Sequence, residues 1–430
     1  MVWIGESQAE PASRRSPALA PDIVRAEVDL VVTDAKGWPV TDLAATDLEL
    51  FRDGERQEIL YFARPADAEV APATPERSRH VVVFVDNLRL WPKRRNALLR
   101  RLGAFAEERL ARGDRITIAA FDGSIELLVV DSLDVGEVVS ALATLESRPS
   151  AMAGLALEAR RLRQALAEGI ELSALQPRVE SFVGSLRRDV GRSLAGLEVT
   201  IQALARPGVA TSILYLSDGL PAWPGDELVE LADPVEAPRI QVRVRTVREG
   251  SITSDALPVR MVQFLVSPPR SQARPWRLAE LAGATDALTA LTRLANRHGA
   301  SFFPVRPSAL LFPSLYGSRA GARGRADPVG PLQRLAEATG GDLLPYGRFE
   351  KALTKLSRRL DSTYTVGFQV ATLDPATLHR LDVQLARKGL KAHYPRAHAS
   401  GGPAVGSRED PSPSPSPGPL PPPLPTVPRQ

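Results

Sequence analysis

A chain of 430 residues with 43% hydrophobic and 24% charged residues is long enough for two or three domains and can bury a substantial core. Its net charge of +4 is small for this length, and its mostly arginine basic residues form no basic face with interleaved aromatics, which argues against a nucleic-acid partner. The lack of cysteine excludes disulfides, cysteine nucleophiles and thiolate metal sites, and no apolar run approaches the roughly 20 residues that span a bilayer.

Residues 1–21 are polar, contain proline and are expected to be disordered. They lack the basic-then-apolar pattern of a signal peptide. A secreted or periplasmic location would therefore need a signal upstream of Met1; otherwise the chain is expected in the cytoplasm. An N-terminal β segment follows over 22–65. Val24, Ala26, Val28 and Leu30 alternate as one face of a strand, and Val31 and Val32 continue the run. Lys36-Gly37 supplies a turn. Leu48 to Phe51 is followed by Asp53-Gly54, a strong hairpin signal, with Ile59 to Phe62 expected as the returning partner. Residues 66–78 are rich in Ala, Pro and Glu and read as a linker.

The next pattern occupies 79–360. Val81 to Val85 is a continuous apolar run, the mark of a strand buried on both faces of a parallel sheet, and it ends at Asp86. Pro92 opens a helix with Leu98, Leu102, Phe105 and Leu110 at helical spacing, and Gly113 is placed to stop it. Ile116 to Phe121 is a second strand ending at Asp122-Gly123. Ile125 to Val130 reads as a hairpin return and Val135 to Leu145 as a short helix. Leu155 to Leu204 reads as a long helical stretch broken near Pro177, within a helical insertion over about 151–206. Its stripe from Val179 through Leu186, Leu194 and Leu204 reads as core packing or a helical hairpin. Ile213 to Leu216 is a further buried strand, ending at Ser217-Asp218-Gly219.

Arg239 to Val247 alternates as a half-exposed strand, in a region (Pro234 to Pro275) whose role the pattern does not reveal. Then Leu291, Leu294, Ala295, Gly299 and Pro304 recur as Leu332, Leu335, Ala336, Gly340 and Pro345, at a constant offset of 41 residues. Each copy reads as helix, glycine stop and short strand, as right-handed crossovers of a parallel sheet require. Gly317 to Arg325 reads as a mobile loop between the copies. Phe349 to Leu360 is a last helix. Strands return over 361–397, at Thr363 to Val370, Leu378 to Leu385 and Leu390 to Tyr394. They are expected to join 22–65 in one small Ig-like sandwich, because each group alone has too few strands to be stable. Residues 398–430 form a Pro-rich, extended tail.

Asp86, Asp122 and Asp218 thus end three expected parallel strands, the edge along which open α/β sheets bind ligands. Clustered carboxylates with hydroxyls suit Mg²⁺; aspartate after a strand also serves as a turn former or helix cap. The runs Val81–Asp86, Asp114–Phe121 and Leu214–Gly219 resemble those of a von Willebrand factor type A (VWA) domain, across Val81 to Leu360. The span Val24 to Ala397 further resembles the bacterial VWFA-related family of acidobacterial type. It carries that family's Val-Thr-Asp-x-x-Gly-x-Pro-Val element as Val32–Val40, and its closing segments as Tyr364–Phe368 and Gly389–Tyr394.

The resemblance implies a Rossmann-like α/β fold with a mainly parallel sheet and a metal-ion-dependent adhesion site. Asp86 and Asp218 match that site's carboxylates. Leu88 and Leu90 stand where its first loop has serines, and Ser150 is the hydroxyl near its second loop, where a threonine is expected. The site is therefore expected to be degenerate: Asp86 and Asp218 are the metal candidates, Mg²⁺ is the ion they would take, and no cofactor is expected.

The five histidines show no ligand spacing, no Gly-rich phosphate loop follows a strand, and Gly-x-Ser-x-Gly is absent. The expected function is non-enzymatic protein binding at the strand-end face, through Asn87, Arg89, Trp91, Asp122 and Ser150. Trp91 serves there as an aromatic anchor or merely caps the helix at Pro92. The alternatives are an envelope-associated scaffold with the tail as spacer, and a metal-dependent hydrolase, whose base and nucleophile are not found.

Overall fold

The computed structural model of the protein describes residues 23–65, 79–170, 172–206, 209–220, 228, 240–247, 259–266, 275–306, 329–371 and 377–399. The expectations for 1–21, 66–78, 317–325 and the tail from 400 lie outside these residues.

A strand with an apolar residue at every second position has one face to bury. In β1 (Ile23–Thr33) that face is Ala26, Val28, Leu30 and Val32. It meets a strand from near the far end of the chain: residues 364–371 run antiparallel to β1, with Val28 opposite Val366 and Ala26 opposite Phe368. β2 (Leu48–Arg52) turns through Asp53 and Gly54, both at positive φ, as a two-residue hairpin loop demands. Its partner is β3 (Glu55–Gln57), with Arg52 opposite Glu55. This corrects the expected pairing with Ile59 to Phe62. A two-residue turn sets the register at once, so the next three residues take the partner's place. β4 (Ile59–Ala63) is released to pair with residues 364–371 in the other sheet.

The α/β unit begins with β5 (His80–Asp86), buried along its whole length. Pro92 starts α1 (Pro92–Ala111), and Gly113 ends it in a left-handed conformation. β6 (Arg115–Phe121) and β7 (Ile125–Ser132) form the expected antiparallel return, and α2 (Val135–Glu146) follows. The long helical stretch breaks at Gly169, not at Pro177, giving α3 (Met152–Ala167) and α4 (Leu172–Leu204). Pro177 is the sixth residue of α4, inside the helix, where it removes one backbone hydrogen bond without ending the helix. α4 does both things expected of its stripe. Val179, Phe182, Val183 and Leu186 form a hairpin core with Met152, Ala159 and Leu162 of α3, while Val190, Leu194, Leu197 and Ile201 lie on the sheet. The second half of α4 is thus part of the main core.

β8 (Thr211–Leu216) is fully buried. β9 (Ile240–Val247) and β10 (Val259–Val266) form a separate antiparallel pair, whose side-chain exposure lies outside the description. The repeat then delivers α5 (Pro275–Arg297), β11 (Ala300–Arg306), α6 (Gly330–Ala338) and β12 (Leu344–Pro345). Gly299 and Gly340 both have positive φ, and β11 pairs in parallel with β8 and with β12. The second strand is only two residues long. α7 (Phe349–Asp361) completes the unit.

The sheet order is β12-β11-β8-β5-β6-β7, with only β7 antiparallel. α1, α2 and α7 cover the face bearing Val81, Val83 and Val85; α4, α5 and α6 cover the face bearing Val82 and Phe84. The fold is therefore α/β and Rossmann-like. Beside it, β13 (Tyr364–Ala371), β14 (Leu378–Leu385), β15 (Lys391–His393) and β16 (Ala397–Ala399) join the N-terminal strands in the expected two-sheet sandwich, as β15-β1-β13-β4 and β16-β14-β2-β3. β16 runs two residues past the expected end at 397. Alternate residues of β1 and β13 fill its core together with Leu48, Leu50 and Leu381.

The two parts touch directly. Thr339 bridges to Pro395, and Arg396 N–H donates to Ala338 O at 2.9 Å. Lys355 and Arg358 of α7 lie over the Trp38 ring, 5.1 and 4.8 Å from its centre. Gly340 sits at this seam. A Cβ there would lie 2.7 Å from the Tyr394 carbonyl carbon, in a backbone with φ +78. Gly299 shares the left-handed conformation, but a Cβ would meet nothing within 4 Å. Gly299→Ala should therefore lower unfolding stability by about 1 kcal/mol from backbone strain alone. Gly340→Ala should lose a further 1–3 kcal/mol or so from the clash. Urea denaturation of both variants measures the difference, and equal losses would mean that the seam is not tight.

Candidate functional site

From β5 the chain moves to β6 on one side and later to β8 on the other, so the crevice between β5 and β8 is the topological switch point. Asp86 ends β5, and Asp218 lies two residues beyond β8. Asp122 follows β6, outside the crevice.

Asp86 is completely buried. Its Oδ2 accepts from the Tyr215 hydroxyl at 2.8 Å and from Ser217 Oγ at 3.3 Å, while Oδ1 has no hydrogen bond. Burial raises its pKa to about 6, against the opposing pull of Arg89 and of the Tyr215, Ser193 and Ser217 hydroxyls. Asp218 is 5% exposed. Its Oδ2 accepts from Trp91 N–H at 2.8 Å, and its Oδ1 takes a direct contact from Arg94 Nη1. Burial pushes the Asp218 carboxyl up and the Arg94 guanidinium down, and their contact opposes both.

The expected ligand residues take places that a side-chain-contact face would not use. Asn87 and Arg89 are buried. Asn87 Nδ2 donates to Pro149 O at 2.8 Å and to Asp122 Oδ1, and its Oδ1 accepts from Arg95. Arg89 Nε donates to Gly219 O at 3.0 Å, and Asp218 N–H donates to Arg89 O at 2.9 Å. Both residues therefore tie strand-end loops together and are not free to meet a ligand. Ser150 Oγ lies 3.2 Å from Asn87 O and Leu90 O and donates to them in the same role. Trp91 is the N-cap residue of α1 and is half-buried against the α3–α4 hairpin core. Asp122 is exposed and paired with Arg148 at 3.2 Å. Leu88 is half-buried in one core and Leu90 wholly buried in the other.

Sequence reasoning missed Arg94 and Arg95. Both are buried in the first turn of α1, and Arg95 donates to Arg148 O at 2.8 Å and Glu146 O at 3.1 Å. A signal was present: the N-terminus of a helix favours acids, so two arginines there with no acid in the first turn point to partners elsewhere in the fold.

These residues do not fit a divalent cation. Asp218 spends both oxygens on internal donors and Asp86 spends Oδ2, so only Asp86 Oδ1 is left without a partner, and the leucines offer none. Among the described residues no group of three or more His, Asp or Glu side chains is able to hold a metal.

No family model and no curated protein matches the chain. Solved structures similar to it include the vWF domain of the type V pili tip protein Mfa5 from Porphyromonas gingivalis, with 13% identity over 66% of this chain and 95% of that one and a TM-score of 0.35. Another is the pilus adhesin SpaC from Lactobacillus rhamnosus GG in its open conformation, with 9% identity over 75% of this chain and a TM-score of 0.31. This chain covers 43% of SpaC, less than half its length. A third is a von Willebrand factor type A structure from Catenulispora acidiphila, with 9% identity over 90% of this chain and 74% of that one and a TM-score of 0.30. Overlap at these scores is partial, and the VWA-like reading of the fold rests on the strand order and the switch point themselves.

The Asp86 pKa has a consequence for stability. A carboxyl raised from 3.8 to about 6 on folding contributes stability that is fully present below about pH 3.8 and is lost as pH rises through about 6. Asp86→Asn should therefore gain on the wild type across that window, by up to about 3 kcal/mol for a shift of roughly two units. The difference between the two proteins isolates Asp86, because His393, held down at about 3 by burial, titrates in the same range with the opposite sign. Urea melts of both proteins from pH 4 to 7 measure it, and parallel curves would mean that Asp86 is solvated.

Proposed function

We propose that this chain is a non-enzymatic protein-interaction module of adhesion type, a relative of the VWFA-related family with a degenerate metal site, and that it takes an extended partner segment along the outer edge of β7. One observation carries this reading. Of the ten large hydrophobic residues that are exposed among the described residues, five fall between 127 and 139: Leu127 and Val130 on β7, Leu133 just after it, and Val135 and Val139 on α2. Apolar groups concentrated in one exposed run mark interaction surfaces. β7 is also an end strand of its sheet, and such an edge is a template for strand addition. The strand-end rim of Asp122, Glu126 and Arg148 adjoins it, with Arg148 bonded to both acids. Most polar groups of the crevice are engaged internally, apart from Asp86 Oδ1, Trp91 Nε1 and Arg94 Nε, which favours docking over chemistry. The pilus-tip and adhesin character of similar structures is consistent with such a role. An envelope-associated scaffold is the second reading, favoured by the proline-rich composition of 398–430, which would act as a spacer.

Panning a displayed peptide library on the immobilised full chain tests the proposal. Enriched peptides should be rich in β-branched and aromatic residues. Their affinity should fall at least about tenfold with Leu127→Glu plus Val130→Glu, equivalent to 1.4 kcal/mol. Both sites are exposed, so the melting temperature should hold. Leu157→Glu, an exposed apolar site on α3, should leave binding unchanged. Binding that survives the double substitution would remove the edge-strand reading.

A further inference from the structure

The strand-end face includes three loops: residues 87–91 after β5, 147–150 after α2, and 217–219 after β8. In a metal-dependent site one cation would draw such loops together. Here the ties are guanidinium groups. Arg94 contacts Asp218 Oδ1 in the third loop, and its Nη2 donates to Arg306 O at 2.7 Å, at the end of β11. The Tyr346 ring lies 4.2 Å from its guanidinium carbon. Arg95 joins the first loop, through Asn87, to the backbone of the second. Arg89 Nε reaches from the first loop to Gly219 O in the third.

The charges also compensate. Two buried carboxylates, Asp86 and Asp218, face the buried guanidinium groups of Arg89 and Arg94, while the third buried guanidinium, Arg95, is offset by Asp122 and Glu146. A divalent ion added to this set would leave two uncompensated positive charges in a low-dielectric crevice, which is prohibitive for so buried a site. The crevice is also full where the ion would sit. The Arg94–Asp218 pair is 4% and 5% exposed, and Leu90 is wholly buried beneath the first loop.

We infer that Arg94 occupies the position of a divalent cation at Asp218, and that with Arg89 and Arg95 it holds the strand-end face in a permanently closed, metal-independent form. The face would then be a fixed platform, unresponsive to the Mg²⁺ or Mn²⁺ level around it. This inference concerns the crevice and is independent of the docking proposed at β7.

The test uses the purified full chain, stripped with EDTA and melted with and without millimolar Mn²⁺. The wild-type melting temperature should not change. Arg94→Ser removes the guanidinium and opens Asp218. It should melt several degrees lower in EDTA and recover part of that loss in Mn²⁺, and adding Asp218→Asn should abolish the recovery. The inference is overturned if the wild type itself rises in Mn²⁺ and loses the rise with Asp218→Asn, or if folded Arg94→Ser ignores Mn²⁺. Should Arg94→Ser fail to fold, a double-mutant cycle decides. Arg94→Met with Asp218→Leu should melt closer to the wild type than the two single losses combined, because removing a buried pair together spares the unpaired charge. Losses that simply add would show that the two groups are not coupled and would overturn it as well.

Discussion

Two carboxylates withdrawn from water at the centre of the sheet are the constraint around which this molecule is arranged. A buried, uncompensated carboxylate is among the most unfavourable groups a fold can contain. Asp86 and Asp218 stand at the ends of adjacent parallel strands, and their surroundings follow from that. Tyr215 and Ser217 turn hydroxyls towards Asp86, and Arg94 reaches Asp218 from the first turn of α1. That turn has two arginines where the helix macrodipole favours acids. The local disadvantage, some tenths of a kcal/mol per charge, is small beside the burial of an unpaired aspartate. Global charge balance overrides local preference here.

The same reasoning bears on what these two carboxylates are arranged to do. Catalytic carboxylates must be able to reach a substrate and exchange protons with it. Asp86 has its surface closed and Asp218 is locked in an ion pair, so their raised pKa values reflect burial rather than readiness for chemistry. What remains accessible lies beside the crevice, on the rim at Asp122 and Arg148 and along β7. A mainly parallel sheet ending in one antiparallel strand has an edge, and here that edge carries apolar side chains outward.

The sandwich solves a different problem. Neither terminal segment has enough strands to bury its apolar face alone. Pairing β1 with β13 joins segments separated by the whole α/β unit and makes that unit an insert between two halves of a second one. The junction is then sensitive to small volumes. At Gly340 the helix stop and the approach of Tyr394 coincide, so a single methyl group bears on both parts.

Much of this architecture was legible from residue order. The unbroken Val81–Val85 run, the alternation of Ala26, Val28 and Leu30, and the glycine stops at 299 and 340 encode strands and helices through neighbours two to four positions apart. They emerged where expected. The strand-end placement of Asp86 and Asp218 was legible for the same reason. What residue order did not reveal was which groups meet across the fold. Arg94 and Asp218 are 124 residues apart, and no periodicity joins them. Asn87 and Arg89 read as surface polar residues until the loops closed over them. The Asp53-Gly54 turn announced a hairpin, but only its tight geometry assigned the partner to Glu55–Gln57 and sent Ile59–Ala63 to the other sheet. Sequence by itself determined the elements, because backbone preference and apolar periodicity are local. Tertiary structure alone decided which charges are buried, which are paired and which apolar residues stay in water, because burial depends on what the rest of the chain brings against each side chain.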